Sequence, residues 1–145
     1  MTPTILKVNE EEIAWIKMQL EAAKMFIKAF SPDDAGNKIT LTILDRAFTA
    51  WMATTPTDVQ QINEVMDNVG IVVGQKLVDD LGLNWVVTKD QNGIDLAVLA
   101  YPNKGDVLFY PIKLIAERVE RRETNFIENL YNNIDQQLLQ LFARF

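Results

Sequence analysis

The chain has 145 residues, of which 48% are hydrophobic and 23% charged, and it contains neither histidine nor cysteine. This composition is typical of a globular protein, and the two missing residue types exclude serine-histidine-aspartate triads, cysteine nucleophiles, thiol redox pairs and ordinary zinc sites. The net charge of −6 argues against nucleic acid and anionic membrane surfaces as partners, because both bind positively charged surfaces.

The length predicts one domain over residues 1–145, because roughly 100 to 200 residues per domain is usual. No apolar run approaches the roughly 20 residues that a membrane-spanning helix needs. The first residues, Met1 to Lys7, lack the features of a signal peptide. We therefore expect a cytoplasmic protein.

The first predicted helix begins after Asn9, which has the spacing of a capping box with Glu12, and it runs to about Phe30. Apolar residues follow it in two stripes. The first stripe is Ile13, Ile16, Leu20, Ala23, Ile27 and Phe30, and the second is Trp15, Met18, Ala22, Met25 and Ala29. We favour a central helix with both stripes buried; the alternative is a homodimer through Trp15, Met18 and Met25.

A loop and a short second helix follow. The segment from Ser31 to Asn37 contains a proline, a glycine and two acids, as loops often do. Thr40 or Thr42 can then cap a helix that ends near Ala53. Its predicted buried residues are Leu44, Ala47, Phe48 and Trp51.

The third helix has the clearest pattern. Thr57 and Gln60 have the spacing of a capping box at its start, and Gly82 is placed to end it in the left-handed conformation. Gly70 and Gly74 lie four residues apart within it. A glycine pair at this spacing lets another backbone approach closely, so we predict close packing of this helix on a sheet.

Three strands are predicted after this helix, at Trp85–Thr88, Ile94–Tyr101 and Val107–Tyr110. The Asn92-Gly93 dipeptide between the first two is a strong hairpin signal. Consecutive strands joined by short turns predict an antiparallel meander.

Two more helices complete the prediction. Pro111 suits the first turn of a helix that reaches about Glu123, and Thr124 or Asn125 opens a last helix. Because the strands cluster between helices, we predict an α+β fold. It consists of a three-stranded antiparallel meander packed against about five helices, with helices at both ends of the chain.

Asp95 interrupts an otherwise apolar strand, so its carboxylate needs a partner. A structural ion pair with Lys113, Arg118, Arg121 or Arg122 is the simpler interpretation. The alternative is a small-ligand or enzyme pocket. Its ligand-binding residues would be Trp85, Asp90, Asp95 and Arg118.

Acidic residues are concentrated on and around the third helix. They form either a solvated face or a face that docks a basic protein partner. The residues of this predicted interaction face are Asp58, Glu64, Asp67, Asp79 and Asp80.

Several short segments in a fixed order carry a family resemblance over roughly residues 40 to 130. The segments are Gly70-x-x-x-Gly74-Gln75-x-Leu77-Val78-Asp79-Asp80-Leu81-Gly82-Leu83-Asn84-Trp85, Asp90-x-x-Gly93-x-Asp95-x-Ala97, Tyr110-Pro111 and Arg118. In this order they resemble an uncharacterised bacterial family of domains of unknown function, DUF3806. The resemblance implies a bacterial source and an α+β domain, and it implies no catalytic residues.

The sequence thus favours a non-catalytic interaction or binding module with an acidic face. The alternative is a ligand-binding protein or an enzyme that uses carboxylates and arginine. We expect no catalytic residue, no metal site and no cofactor.

Overall fold

The computed structural model describes residues 2–144, which form five α-helices and one sheet. In chain order the elements are β1 (Thr4–Lys7), α1 (Glu10–Phe30), a short 3₁₀ turn (Pro32–Asp34), α2 (Leu41–Met52), α3 (Val59–Leu81), β2 (Asn84–Asp90), β3 (Gly93–Ala100), β4 (Val107–Phe109), α4 (Pro111–Glu120) and α5 (Ile127–Phe142). The predicted α+β class with five helices is confirmed. None of the described helices combines the length and the apolar character that crossing a bilayer requires.

The sheet has four antiparallel strands in the order β1-β2-β3-β4. The predicted meander of β2, β3 and β4 is confirmed. The prediction of only three strands, with a helix as the first element, is wrong because Thr4–Lys7 pairs with Val86–Lys89 of β2. With four residues, β1 is too short to show an alternating pattern.

The central helix is α3, which contacts α1, α4, α5, β2 and β3. Val69, Val73 and Leu77 of α3 are fully buried. The prediction of a central α1 with both stripes buried is wrong, because Met18 and Met25 are 64% and 65% exposed. The first stripe of α1 does face the core, where Ile16, Ala23 and Ile27 are buried.

The two glycines of α3 face different elements. A Cβ atom at Gly74 would overlap the indole ring of Trp85 on β2, which confirms close packing against the sheet there. A Cβ atom at Gly70 would lie 2.8 Å from the Cα of Ile112, so this glycine lets α4 approach α3. At Gly70 the close contact is therefore between two helices.

Local side chains cap the first three helices. Asn9 and Glu12 form the predicted capping box of α1, and Thr40 caps α2 by accepting from the backbone N–H of Ile43 at 3.1 Å. The prediction of Thr57 as the cap of α3 is wrong. Asp58 is the cap, because its carboxylate accepts from the first turn of α3.

The N-terminus of α5 is capped by a side chain that is far from it in the sequence. Asp45 of α2 is buried, and its carboxylate accepts from the backbone N–H groups of Ile127 and Glu128 at 2.9 and 3.0 Å. The prediction that Thr124 or Asn125 caps α5 is therefore wrong. These bonds join α2 to the start of α5.

Candidate functional site

Trp85 and Asp90, two of the four predicted pocket residues, lie on β2 but have separate partners. The indole Nε1 of Trp85 donates to Oε1 of Gln75 on α3 at 3.0 Å. Asp90 Oδ1 accepts from the backbone N–H of Asn92 at 2.8 Å, which stabilises the hairpin turn between β2 and β3. Trp85 is thus tied to α3, whereas Asp90 is tied to the turn.

The other two predicted pocket residues, Asp95 and Arg118, form ion pairs with different residues. Asp95 lies 3.0 Å from Lys113 Nζ on α4, so the predicted structural ion pair is confirmed. The hydrogen bond to Asp95 raises the pKa of Lys113. Arg118 Nε lies 3.3 Å from Oε2 of Glu123. The helix α4 ends at Glu120, before the predicted end near Glu123. No hydrogen bond or ion pair in residues 2–144 joins Asp95 to Arg118, and the pocket stays a prediction.

The predicted acidic face is spread around α3. Asp58 caps the helix, and Glu64 accepts from the amide of Gln60 at 3.3 Å. Burial raises the pKa of Asp67, and repulsion from Glu64 adds to this effect. These residues occupy the N-terminal half of α3.

At the other end of α3, the neighbouring acids Asp79 and Asp80 have different hydrogen-bond partners. Asp79 accepts from the side-chain amide of Gln75 at 2.9 Å, whereas Asp80 accepts from the hydroxyl of Tyr131 on α5 at 2.7 Å. Consecutive helical residues point about 100° apart, which accounts for the divergence. Burial and the bond to Asp80 raise the pKa of Tyr131. The structure does not bring the acids into one face, and a basic protein partner stays a prediction.

A cavity of about 360 Å³ lies between α1, α3 and the segment that precedes α2. We call it the lysine cleft, because three lysines line it. Its lining residues are Leu20, Glu21, Lys24, Asn37, Lys38, Ile39, Val72, Gln75, Lys76 and Asp79.

Among the described residues, some charged side chains of the lysine cleft have an ion-pair or hydrogen-bond partner, and others form no ion pair. Lys24 forms a 2.8 Å ion pair with Glu21, and Asp79 accepts from Gln75. Across the part of the chain that the structure describes, neither Lys38 nor Lys76 forms an ion pair. Lys38 and Lys76 therefore line the cleft without an ion-pair partner among the described residues.

The sequence prediction missed the lysine cleft, although one predicted site residue lines it and another is hydrogen-bonded to a residue of its lining. Trp85 is joined to the cleft through Gln75, and Asp79 lines it directly. Lys24, Lys38 and Lys76 come from α1, a loop and α3, so no local motif marks them.

A second cavity of about 340 Å³ adjoins the lysine cleft and shares Lys24, Asn37 and Ile39 with it. It extends along α1 to Met25 and Lys28. Within residues 2–144, no group of three or more carboxylates is arranged to hold a metal ion.

Comparison with known proteins gives one match. A family model described as Domain of unknown function (DUF3806) matches residues 47–131. No curated protein and no solved structure matches the chain. The matched region holds Gln75, Lys76 and Asp79 of the lysine cleft, whereas α1 precedes it.

Proposed function

The chain belongs to the family described as Domain of unknown function (DUF3806), which has no assigned activity, and we propose from its geometry that it is a non-catalytic binding module for a small organic anion. The lysine cleft is the binding site. The observation that carries this proposal is the presence of two unpaired lysines at an apolar cavity.

The size and lining of the cleft support a small organic ligand. Pockets that bind such ligands usually have volumes of about 300 to 1,000 Å³ and apolar walls with few polar groups. The cleft has a volume of about 360 Å³, and Leu20, Ile39 and Val72 supply apolar surface. A ligand with an apolar body can therefore bury that body against these side chains.

The charges support an anionic group on the ligand. The lining contains three lysines against Glu21 and Asp79, so it carries a net charge of about +1 at neutral pH, whereas the whole chain carries −6. Lys38 and Lys76 can each donate to a sulfonate, carboxylate or phosphate oxygen. An anion would neutralise these ammonium groups and gain charge-assisted hydrogen bonds.

A pair of fluorescent dyes tests the proposal. 8-Anilinonaphthalene-1-sulfonate carries an anionic group, and N-phenyl-1-naphthylamine has the same ring system without it. We expect the sulfonate to bind more tightly to the wild type. The double variant Lys38→Ala/Lys76→Ala should bind the sulfonate about tenfold more weakly, because each exposed pair contributes up to about 1 kcal/mol, and it should bind the neutral dye as before.

The matched control is Lys17→Ala/Lys89→Ala, which removes the same charge from exposed positions outside the cleft. This control should bind the sulfonate nearly as the wild type does. An equal loss in both double variants would reduce the effect to overall charge and contradict the proposal. Failure of the wild type to bind the sulfonate saturably would also contradict it.

A further inference from the structure

The outward side of α1 carries a row of side chains that nothing in the described chain covers. Met18 and Met25 are 64% and 65% exposed, and Ala29 is exposed as well. Trp15 and Ala22 lie at the edge of this row and are half-buried. Exposed methionines at helical spacing are typical of a protein contact, because they adapt to a partner surface.

The charges on this side of α1 favour a second copy of the chain as the partner. Glu21 and Lys28 lie on the same outward side of α1 and are two helical turns apart. Within its own chain Glu21 lines the lysine cleft and pairs with Lys24 at 2.8 Å, so the contact with Lys28 would be a second ion pair of the same carboxylate. A two-fold axis midway between residues 24 and 25 places Glu21 level with Lys28 of the second copy, because both are equally far from the axis. The same symmetry places Lys28 level with Glu21 of the second copy, so both contacts join opposite charges.

The second cavity supports the same arrangement. It opens beside Met25 and Lys28, near the C-terminal end of α1. Antiparallel helices bring Met18 of the second copy to that end. An exposed methionine would thus meet an unfilled cavity at each end of the contact.

We propose that the protein forms a two-fold symmetric homodimer in which the two α1 helices pack antiparallel. Met18 and Met25 supply the apolar surface, with Trp15 at its edge, and Glu21 and Lys28 pair across the interface. This inference does not depend on anion binding in the lysine cleft.

Single-cysteine crosslinking tests the antiparallel geometry, since the chain has no cysteine of its own. In Met25→Cys the two thiols lie beside the axis, within the Cα separation of about 7 Å that a disulfide tolerates. In Met18→Cys they are separated by about 20 Å along the helix. We expect a crosslinked dimer after mild oxidation of the first variant only. Crosslinking of both indicates parallel helices and overturns the proposal, as does crosslinking of neither.

Sedimentation equilibrium measures the dimer itself. The wild type should sediment with twice the chain mass, and Met25→Lys should weaken dimerisation at least tenfold. Ile94→Lys is the matched control because Ile94 is 66% exposed on β3. It should leave the dimer intact. A monomeric wild type, or equal losses in the two variants, overturns the proposal.

Charge reversal tests the predicted pairing. Glu21→Lys and Lys28→Glu should each dimerise more weakly than the wild type, because each variant places like charges opposite one another. An equimolar mixture of the two variants should restore dimerisation, since lysines at both positions then face glutamates. If the mixture remains as weak as the separate variants, the proposed register is wrong.

Discussion

The absence of a side chain at position 74 lets Trp85 reach α3. The indole occupies the space that a Cβ atom of residue 74 would fill, and Pro111 Cγ lies 3.0 Å from the same point. With the ring in this place, its Nε1 reaches Gln75 at 3.0 Å. One glycine therefore positions a tryptophan, and the tryptophan orients an amide at the lysine cleft.

Gly74→Ala should lower the free energy of unfolding by about 1–3 kcal/mol, because the added methyl group overpacks this contact. The effect can be measured by urea denaturation. Trp85→Phe removes the indole atoms nearest to position 74, so Gly74→Ala should cost clearly less in that background. Equal costs in the two backgrounds would show that Trp85 is not the obstacle.

Asp67 makes stability depend on pH. Burial, and to a lesser extent Glu64, raise its pKa above the ordinary value of 3.8. A carboxyl group with a raised pKa stabilises the folded state fully below its unfolded pKa, and this stability is lost as the pH rises through the folded pKa. At pH 7, therefore, Asp67 contributes less to stability than it does below pH 3.8.

Asp67→Asn should raise the free energy of unfolding at pH 7 by up to about 1 kcal/mol, because the amide carries no charge to desolvate. Below pH 3.8 the difference from the wild type should vanish. Urea denaturation at pH 7 and pH 3 checks both statements. A gain that persists at pH 3 would have a cause other than ionisation.

At the scale of elements, α2 and α5 are held together by a cap whose partners lie 82 and 83 residues apart in the sequence. Asp45→Ala should lower the free energy of unfolding by about 1–3 kcal/mol, because it leaves two backbone N–H groups without acceptors. Hydrogen exchange at Ile127 and Glu128 should accelerate. Asp58→Ala, which removes the exposed cap of α3, should have the smaller effect and leave those two amides protected.

The difference between the caps of α1 and α2 and the cap of α5 shows what could be predicted from the sequence. Local signals fixed α1 and α2, since Asn9, Glu12 and Thr40 lie within the turns that they cap. The pairing of β1 and the cap from Asp45 involve residues about 80 positions apart, and no local pattern encodes such contacts.

The residues of the candidate site also differ in whether a local sequence pattern could predict their contacts. An ion pair of Asp95 with a basic residue of the following helix was predicted, because a carboxylate in an apolar strand requires a partner, and the structure shows Lys113 to be that residue among the four candidates. The lysine cleft was not, because its lysines come from α1, from the segment before α2 and from α3, and they line one cavity only after α1 has packed against α3. A local sequence pattern shows how charges are arranged within one helix or strand, whereas the cleft forms only when several elements pack together.

At the scale of the whole molecule, the core extends beyond the region that the family model matches. Residues 47–131 exclude β1, α1, the first half of α2 and most of α5. Phe26 and Ile27 of α1 and Ile134 and Leu138 of α5 belong to the same buried cluster as α3. The matched region alone would therefore expose the sides of α3 that these helices cover.

We predict that a fragment of residues 47–131 does not fold cooperatively, whereas the full chain does. The fragment lacks four of the buried core residues just named, and each large apolar side chain contributes about 1.5–3 kcal/mol when fully buried. Their loss is comparable with the whole stability of a small domain, about 5–15 kcal/mol. Thermal unfolding followed by circular dichroism checks this prediction. A sigmoidal transition in the fragment would show that residues 47–131 form a self-sufficient unit and that the proposed single domain over residues 1–145 is wrong.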